Sequence, residues 1–221
     1  MTFYLNTDVG IPDVWLWLCG CTVLFLLQAY QVRRFLRISH GPPLTWPIVI
    51  PTGFLYLLTI GGLLMQPPVL PVSTVLRAVG MFILAVPLTL TDLRCQWLPM
   101  RYTVLFWLGG LLCAALPGEV TDLTTALATS FAAFFLAGAL RFAANIYQNE
   151  ERVGLGDVYL MAGLCAWLPW RSACYAAGGG LLVCCLCALL TRQPSKPFAP
   201  ALFGYLCGVC LFFPQQLAGV L

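Results

Sequence analysis

Two aspartates stand where apolar stretches begin or end. Asp92 closes one run, in Leu88-Thr89-Leu90-Thr91-Asp92-Leu93-Arg94, and Asp157 opens another, in Val153-Gly154-Leu155-Gly156-Asp157-Val158. An ionisable group set against a membrane-type helix is costly to desolvate and is a functional candidate by default. Two carboxylates brought together in a partly dry site share a proton, and their titrations split. The ionised member can take a proton from water while the neutral member gives one to a scissile carbonyl. That chemistry needs no metal ion, no cofactor and no nucleophilic side chain.

Each aspartate also has a plainer reading. Asp157 at a helix start could be an N-cap. Asp92 could be an interfacial residue paired with Arg94. Gly154 and Gly156, flanking one residue just before Asp157, would let backbone approach backbone and allow unusual torsions, or they could form an ordinary turn. Little else competes for catalysis. The single histidine, His40, lies in a loop after the basic stretch Arg33-Arg34-Phe35-Leu36-Arg37. It forms no pair that would activate a serine or cysteine. No metalloprotease, phosphate-loop or dinucleotide motif occurs. The 11 cysteines sit mostly in apolar runs and read as small packing residues without a metal framework.

The elements that must position the aspartates are membrane helices. Of the 221 residues, 61% are hydrophobic and 9% are charged, against about 25% charged in soluble domains. Such a chain needs lipid to cover it. It carries no basic stripe interleaved with aromatics, so nucleic acid is not an expected partner. Spanning helices take about 20 residues. The apolar runs predict an all-α polytopic bundle of about eight transmembrane helices: Val14–Val32, Pro47–Met65, Val72–Thr91, Tyr102–Leu116, Thr124–Ile146, Val158–Leu168, Ser172–Thr191 and Phe198–Ala218. Gly41-Pro42-Pro43, Gln66-Pro67-Pro68, Pro117-Gly118, Pro169 and Gln193-Pro194 break the runs. Residues 1–46 read as an anchor helix and a short basic loop, and 47–221 as the domain holding both aspartates. Met1 to Asp13 has no basic residue, so the first run reads as a retained anchor rather than a cleaved signal.

With the N-terminus outside, Arg33, Arg34, Arg37, Arg94, Arg101, Arg141, Arg152, Arg192 and Lys196 fall on the cytoplasmic side, and only Arg77 and Arg171 on the other. This split follows the positive-inside rule and puts both aspartates at the cytoplasmic boundary. Glu150 and Glu151 lie on the same side. They read either as a solvated pair near Arg152 or as an acidic lip that draws in a basic peptide.

Three stretches resemble the bacterial prepilin peptidases. Asp92-Leu93-Arg94-Cys95-Gln96-Trp97-Leu98-Pro99 is similar to that family's first aspartate motif. Gly154-Leu155-Gly156-Asp157, running into Ala166-Trp167-Leu168, is similar to its Gly-x-Gly-Asp motif. Lys196-Pro197-Phe198-Ala199-Pro200 is similar to its Pro-Phe-Gly-Pro motif. The three occur in the family's order across roughly Pro47 to Gly208. Presenilin-like proteases share the Gly-x-Gly-Asp plan, and Pro200-Ala201-Leu202 resembles their Pro-Ala-Leu, but the first and third stretches favour the prepilin branch.

The resemblance implies a membrane aspartyl endopeptidase in the bacterial inner membrane. Asp92 and Asp157 would be catalytic, supported by Gly154, Gly156, Leu98, Pro99, Pro197, Phe198 and Pro200. It implies that the basic leader of a type IV pilin-like precursor is removed after a glycine, at the cytoplasmic face, with no cofactor. Met100 stands where Asn or Asp is usual, Tyr159 where Lys is usual, and Ala199 where Gly is usual. Only Arg33 to Trp46 separates the first two runs, where long members carry a domain with two C-x-x-C pairs. A form without that domain, its zinc site or its N-methyltransferase activity is therefore expected. A transporter using the same aspartates, or a non-catalytic pilus-assembly protein, is the alternative.

Overall fold

The computed structural model describes residues 11–65, 72–116, 121–148, 154–192 and 196–212. Among them the chain is entirely helical, in the order α1 (Ile11–Ile38), α2 (Trp46–Leu64), α3 (Val72–Cys95), α4 (Met100–Ala114), α5 (Leu123–Gln148), α6 (Leu155–Trp167), α7 (Trp170–Thr191) and α8 (Phe198–Phe212). Each corresponds to one predicted run. Helices α1, α2, α3, α5 and α7 are long and apolar enough to cross a membrane, whereas α4, α6 and α8 are shorter. The predicted continuation of the last run to Ala218 lies outside the described residues.

The ends differ from the hydropathy reading for local reasons. Helix α1 runs past Val32 because Phe35 and Leu36 keep an apolar edge against the bundle, and Leu36 is fully buried. Helix α3 continues one turn past Asp92 to Cys95. Gln96 then takes a left-handed φ of 52°, and its N–H donates to the Asp92 carbonyl at 2.9 Å, closing the helix by the αL-type cap. Helix α6 starts at Leu155, so Asp157 lies inside its first turn.

Helix α3 lies at the centre and touches α1, α2, α4 and α8, while α6 packs on α4, α5, α7 and α8. The core joins Tyr56, Phe82, Phe106, Leu164, Trp167 and Phe203, among others. In lipid, helices gain little from hydrophobic transfer and associate through close packing and hydrogen bonds. Both are present. A Cβ on Gly163 of α6 would lie 2.7 Å from the Phe106 ring and 3.4 Å from the Trp107 Cα of α4, so the two helices meet nearly backbone to backbone. The buried Trp167 Nε1–H donates to the Phe106 carbonyl at 2.8 Å. Between α2 and α3, the Tyr56 and Thr89 hydroxyls share a buried 2.7 Å bond. Many large apolar side chains point outward on several helices, including Leu24, Leu27, Phe54, Phe135, Leu182 and Leu189, as a lipid-facing surface requires. The chain is a polytopic membrane helix bundle.

Two features differ from the sequence reading. Arg77, expected at a membrane boundary, is 1% exposed. Its guanidinium lies 3.5 Å from the Ala166 carbonyl, in the last turn of α6, where a cation complements the helix dipole. The cysteines include two C-x-x-C spacings, Cys184 to Cys187 on α7 and Cys207 to Cys210 on α8. All 11 thiols are free, with Cys207 and Cys210 buried in the core.

Candidate active site

Asp157 is the third residue of α6, after the N-cap Gly154. From that position a carboxylate can reach back to the N-cap amide, the acidic half of a capping box. It does so here, with the Gly154 amide as its backbone partner. The N-cap reading is therefore adjusted: Asp157 faces the cap from inside the helix and still lines an open cavity.

Asp92 lies in the last turn of α3 and is 5% exposed. Its Oδ2 accepts the Ala199 N–H at 2.8 Å, in the first turn of α8. The first amides of a helix have no intrahelical acceptor, and the helix dipole favours an anion there. Asp92 thus caps α8 from another helix. The plainer reading, a pair with Arg94, is not what forms: Arg94 Nε donates to the Pro43 carbonyl at 2.8 Å, tying the α1–α2 connection to the end of α3.

The glycines act by closeness. The Gly154 backbone is extended, with φ −71° and ψ 149°, a conformation open to any residue, so no unusual torsion is involved. Gly156 is constrained by its neighbour: a Cβ there would lie 2.5 Å from Leu98 Cβ and 2.9 Å from the Leu98 carbonyl oxygen. Gly156 therefore lets the first turn of α6 rest on the segment between α3 and α4. This contact brings the chain around Asp157 against the chain that follows Asp92.

Both carboxylates open on one cavity of about 610 Å³, lined also by Gln96, Trp97, Leu98, Met100, Gly154, Leu155, Gly156, Tyr159, Lys196 and Phe198. Of the expected supporting residues, Leu98, Gly154, Gly156 and Phe198 line the cavity, whereas Pro99, Pro197 and Pro200 do not. Pro99 is the N-cap of α4, Pro197 immediately precedes α8, and Pro200 lies in its first turn. Glu150 and Glu151 fall outside the described residues. Met100 and Tyr159, two of the departures from the family pattern, both face the cavity. Tyr159 is held edge-on by Trp107 and Phe134, with ring centroids 6.0 and 5.2 Å away.

Sequence reasoning missed the Ala199 amide, because a backbone donor leaves no mark in residue type. It also missed Lys196 as a lining residue. The position of Lys196 next to Pro197-Phe198 was the available signal.

The profile of the type IV leader peptidase family matches residues 78–192, from early α3 through α7. Among curated relatives, the type 4 prepilin-like proteins leader peptide-processing enzyme of Escherichia coli O78:H11 is 33% identical over 135 residues, covering 57% of this chain and 47% of that protein. The prepilin leader peptidase/N-methyltransferase of Aeromonas hydrophila is 36% identical over 87 residues, 39% of this chain and 30% of that protein. The leader peptidase HopD of Salmonella typhimurium is 30% identical over 137 residues, 56% of this chain and 86% of that protein. The chain thus spans less than half the length of the first two. No solved structure gave a significant match. The matched region contains both aspartates and the Gly154-Leu155-Gly156 turn, and it covers more than half of the sequence: the chain belongs to the type IV leader peptidase family.

Proposed function

We propose that this chain is an aspartyl endopeptidase that removes the basic leader from a type IV pilin-like precursor, with Asp92 and Asp157 as the catalytic pair. The observation that carries the reading is their convergence, from the end of α3 and the start of α6, on one open cavity. In the reaction the ionised carboxylate takes a proton from a water whose oxygen adds to the scissile carbonyl carbon. The neutral carboxyl protonates the carbonyl oxygen. As the gem-diol collapses, one carboxyl protonates the departing amine and the other carboxylate accepts a hydroxyl proton, which leaves a carboxylic acid and returns the pair to a single shared proton. The Ala199 and Gly154 amides hold the two carboxylates in orientation, and such positioning is a large part of catalysis.

The excess of cationic residues at this end of the bundle supports a cytoplasmic position at the inner membrane, where a basic leader would be presented. Glu150 and Glu151 serve as its acidic lip. Residues 1–46 act as anchor and basic loop, and 47–221 as the peptidase domain. Only Ser39 to Thr45 connects α1 to α2, which leaves no room there for a methyltransferase domain, and cleavage is expected without methylation at that position. The transporter and scaffold readings gain nothing from the family match.

Coexpression with candidate type IV pilin-like precursors tests the assignment. A leader-sized shift in precursor mobility, with the new N-terminus following a glycine, is expected. If no precursor with a basic leader and an apolar helix is cleaved, the assignment fails.

A further inference from the structure

We infer that the C-terminal end of α1, with the start of α2, forms a binding site for an anionic glycerophospholipid. Two adjoining cavities define it. One, of about 300 Å³, is lined by Tyr30, Arg33, Arg34 and Arg37. These residues fall at i, i+3, i+4 and i+7 on one helix, and so share a face. The other, of about 130 Å³, is lined by Leu26, Ala29, Tyr30, Arg33, Leu44, Trp46 and Val49. Tyr30 and Arg33 border both, so a basic pocket continues into an apolar groove between two membrane helices.

The chemistry matches one amphiphile. Three exposed guanidinium groups give a headgroup phosphate its charge-assisted partners, and arginine forks suit phosphate oxygens. Among the described residues no carboxylate lines either cavity, so an anion entering meets no opposing charge. Leu26, Ala29, Leu44 and Val49 offer an acyl chain an apolar seat. Trp46, 63% exposed, and Tyr30 stand where aromatic residues gather at a membrane interface. The site lies at the same end of the bundle as the aspartates: Arg94, in the last turn of α3, bonds Pro43 between α1 and α2, and Phe35 packs on Trp97 at 5.8 Å. A free phosphate would use only the first cavity, and a zwitterionic lipid would set its own cation against the arginines.

The test is lipid retention by the full-length protein in nanodiscs containing equal phosphatidylglycerol and phosphatidylcholine. Lipids that stay bound on release from the disc are counted by native mass spectrometry. Wild type should retain phosphatidylglycerol selectively. Each cation near an anionic lipid surface contributes about five-fold in affinity, reduced by salt. The combined Arg33→Gln, Arg34→Gln, Arg37→Gln variant should therefore lose at least about ten-fold of that selectivity. Arg171→Gln, at the start of α7, should keep it. Leu26→Trp, which fills the groove and spares the arginines, should also release the lipid, whereas glycerol phosphate added in excess should not displace it. Equal retention of the two lipids by wild type, or unchanged selectivity in the triple variant, overturns the proposal. Displacement by glycerol phosphate alone makes the pocket a phosphate site and overturns it too. A triple variant that keeps its lipid but loses precursor cleavage assigns the arginines to a peptide, with the same consequence.

Discussion

At Gly156 the tolerance for a side chain is set by Leu98. A methyl group would meet Leu98 Cβ at 2.5 Å and the Leu98 carbonyl oxygen at 2.9 Å. Backbone cannot yield there without moving the start of α6 away from the end of α3. At Gly154 the nearest atom to such a methyl is Asp157 Oδ2 at 3.4 Å, an ordinary contact. Gly156→Ala should therefore lower kcat for precursor cleavage by about a hundred-fold, the effect of a misplacement of about 1 Å in a catalytic group. Gly154→Ala should keep most of the activity, losing only the preference for glycine over alanine at an N-cap. Single-turnover assays of the two variants decide between contact and torsion: an equal loss in both would return the glycines to the role of a flexible turn. Residue type announced the two aspartates and the glycines. It did not announce the reason for Gly156, because the pressure comes from a residue 58 positions earlier.

Among elements, the α4–α6 pair determines where Asp157 lies. Gly163 sits against the Phe106 ring and the Trp107 backbone, and Trp167 anchors the far end of α6 on the Phe106 carbonyl. Gly163→Leu should force the helices apart and cost about 1–3 kcal/mol, the usual penalty of overpacking. Thermal unfolding in detergent would register the loss, with cleavage falling in parallel. An unchanged midpoint and unchanged cleavage would mean that α6 is held by something other than this contact. The eight helices α1 to α8 were legible because each is an apolar run, and turn-forming residues separate most of them. Their ends were less so, since hydropathy stops at the last apolar residue while packing and caps continue the helix: Leu36 extends α1, and the Gln96 cap extends α3. The burial of Arg77 was not legible at all. Its charge suggested a boundary, whereas its guanidinium faces the carbonyl of Ala166.

For the whole molecule, the placement of charge is the basis for the side the two aspartates are proposed to face. With nine cationic residues against two on the opposing side, the proposal sets the α1–α2 connection and the aspartate cavity on the cytoplasmic side. A reporter active only outside the membrane should be silent when inserted after Pro43 and active when inserted after Gly118. The opposite pattern would invert the topology and separate the cavity from a cytoplasmic leader. Lys and Arg alone suggested this orientation, whereas nothing in residue type suggested the link between α8 and Asp92. Helix α8 joins the site through a backbone amide, more than 100 residues along the chain from the carboxylate it meets.

The most direct measurement is cleavage of a type IV pilin-like precursor by Asp92→Asn and Asp157→Asn, each purified in the folded, membrane-extracted form. Asparagine keeps the size of the side chain and part of its hydrogen bonding but cannot ionise or share the proton, so neither half of the acid–base pair survives. Each variant is expected to retain the helical content and thermal midpoint of the parent within error and to show no detectable processing of the precursor. Substantial cleavage by either variant, with the fold intact, would contradict the assignment of that carboxylate and with it the two-aspartate mechanism.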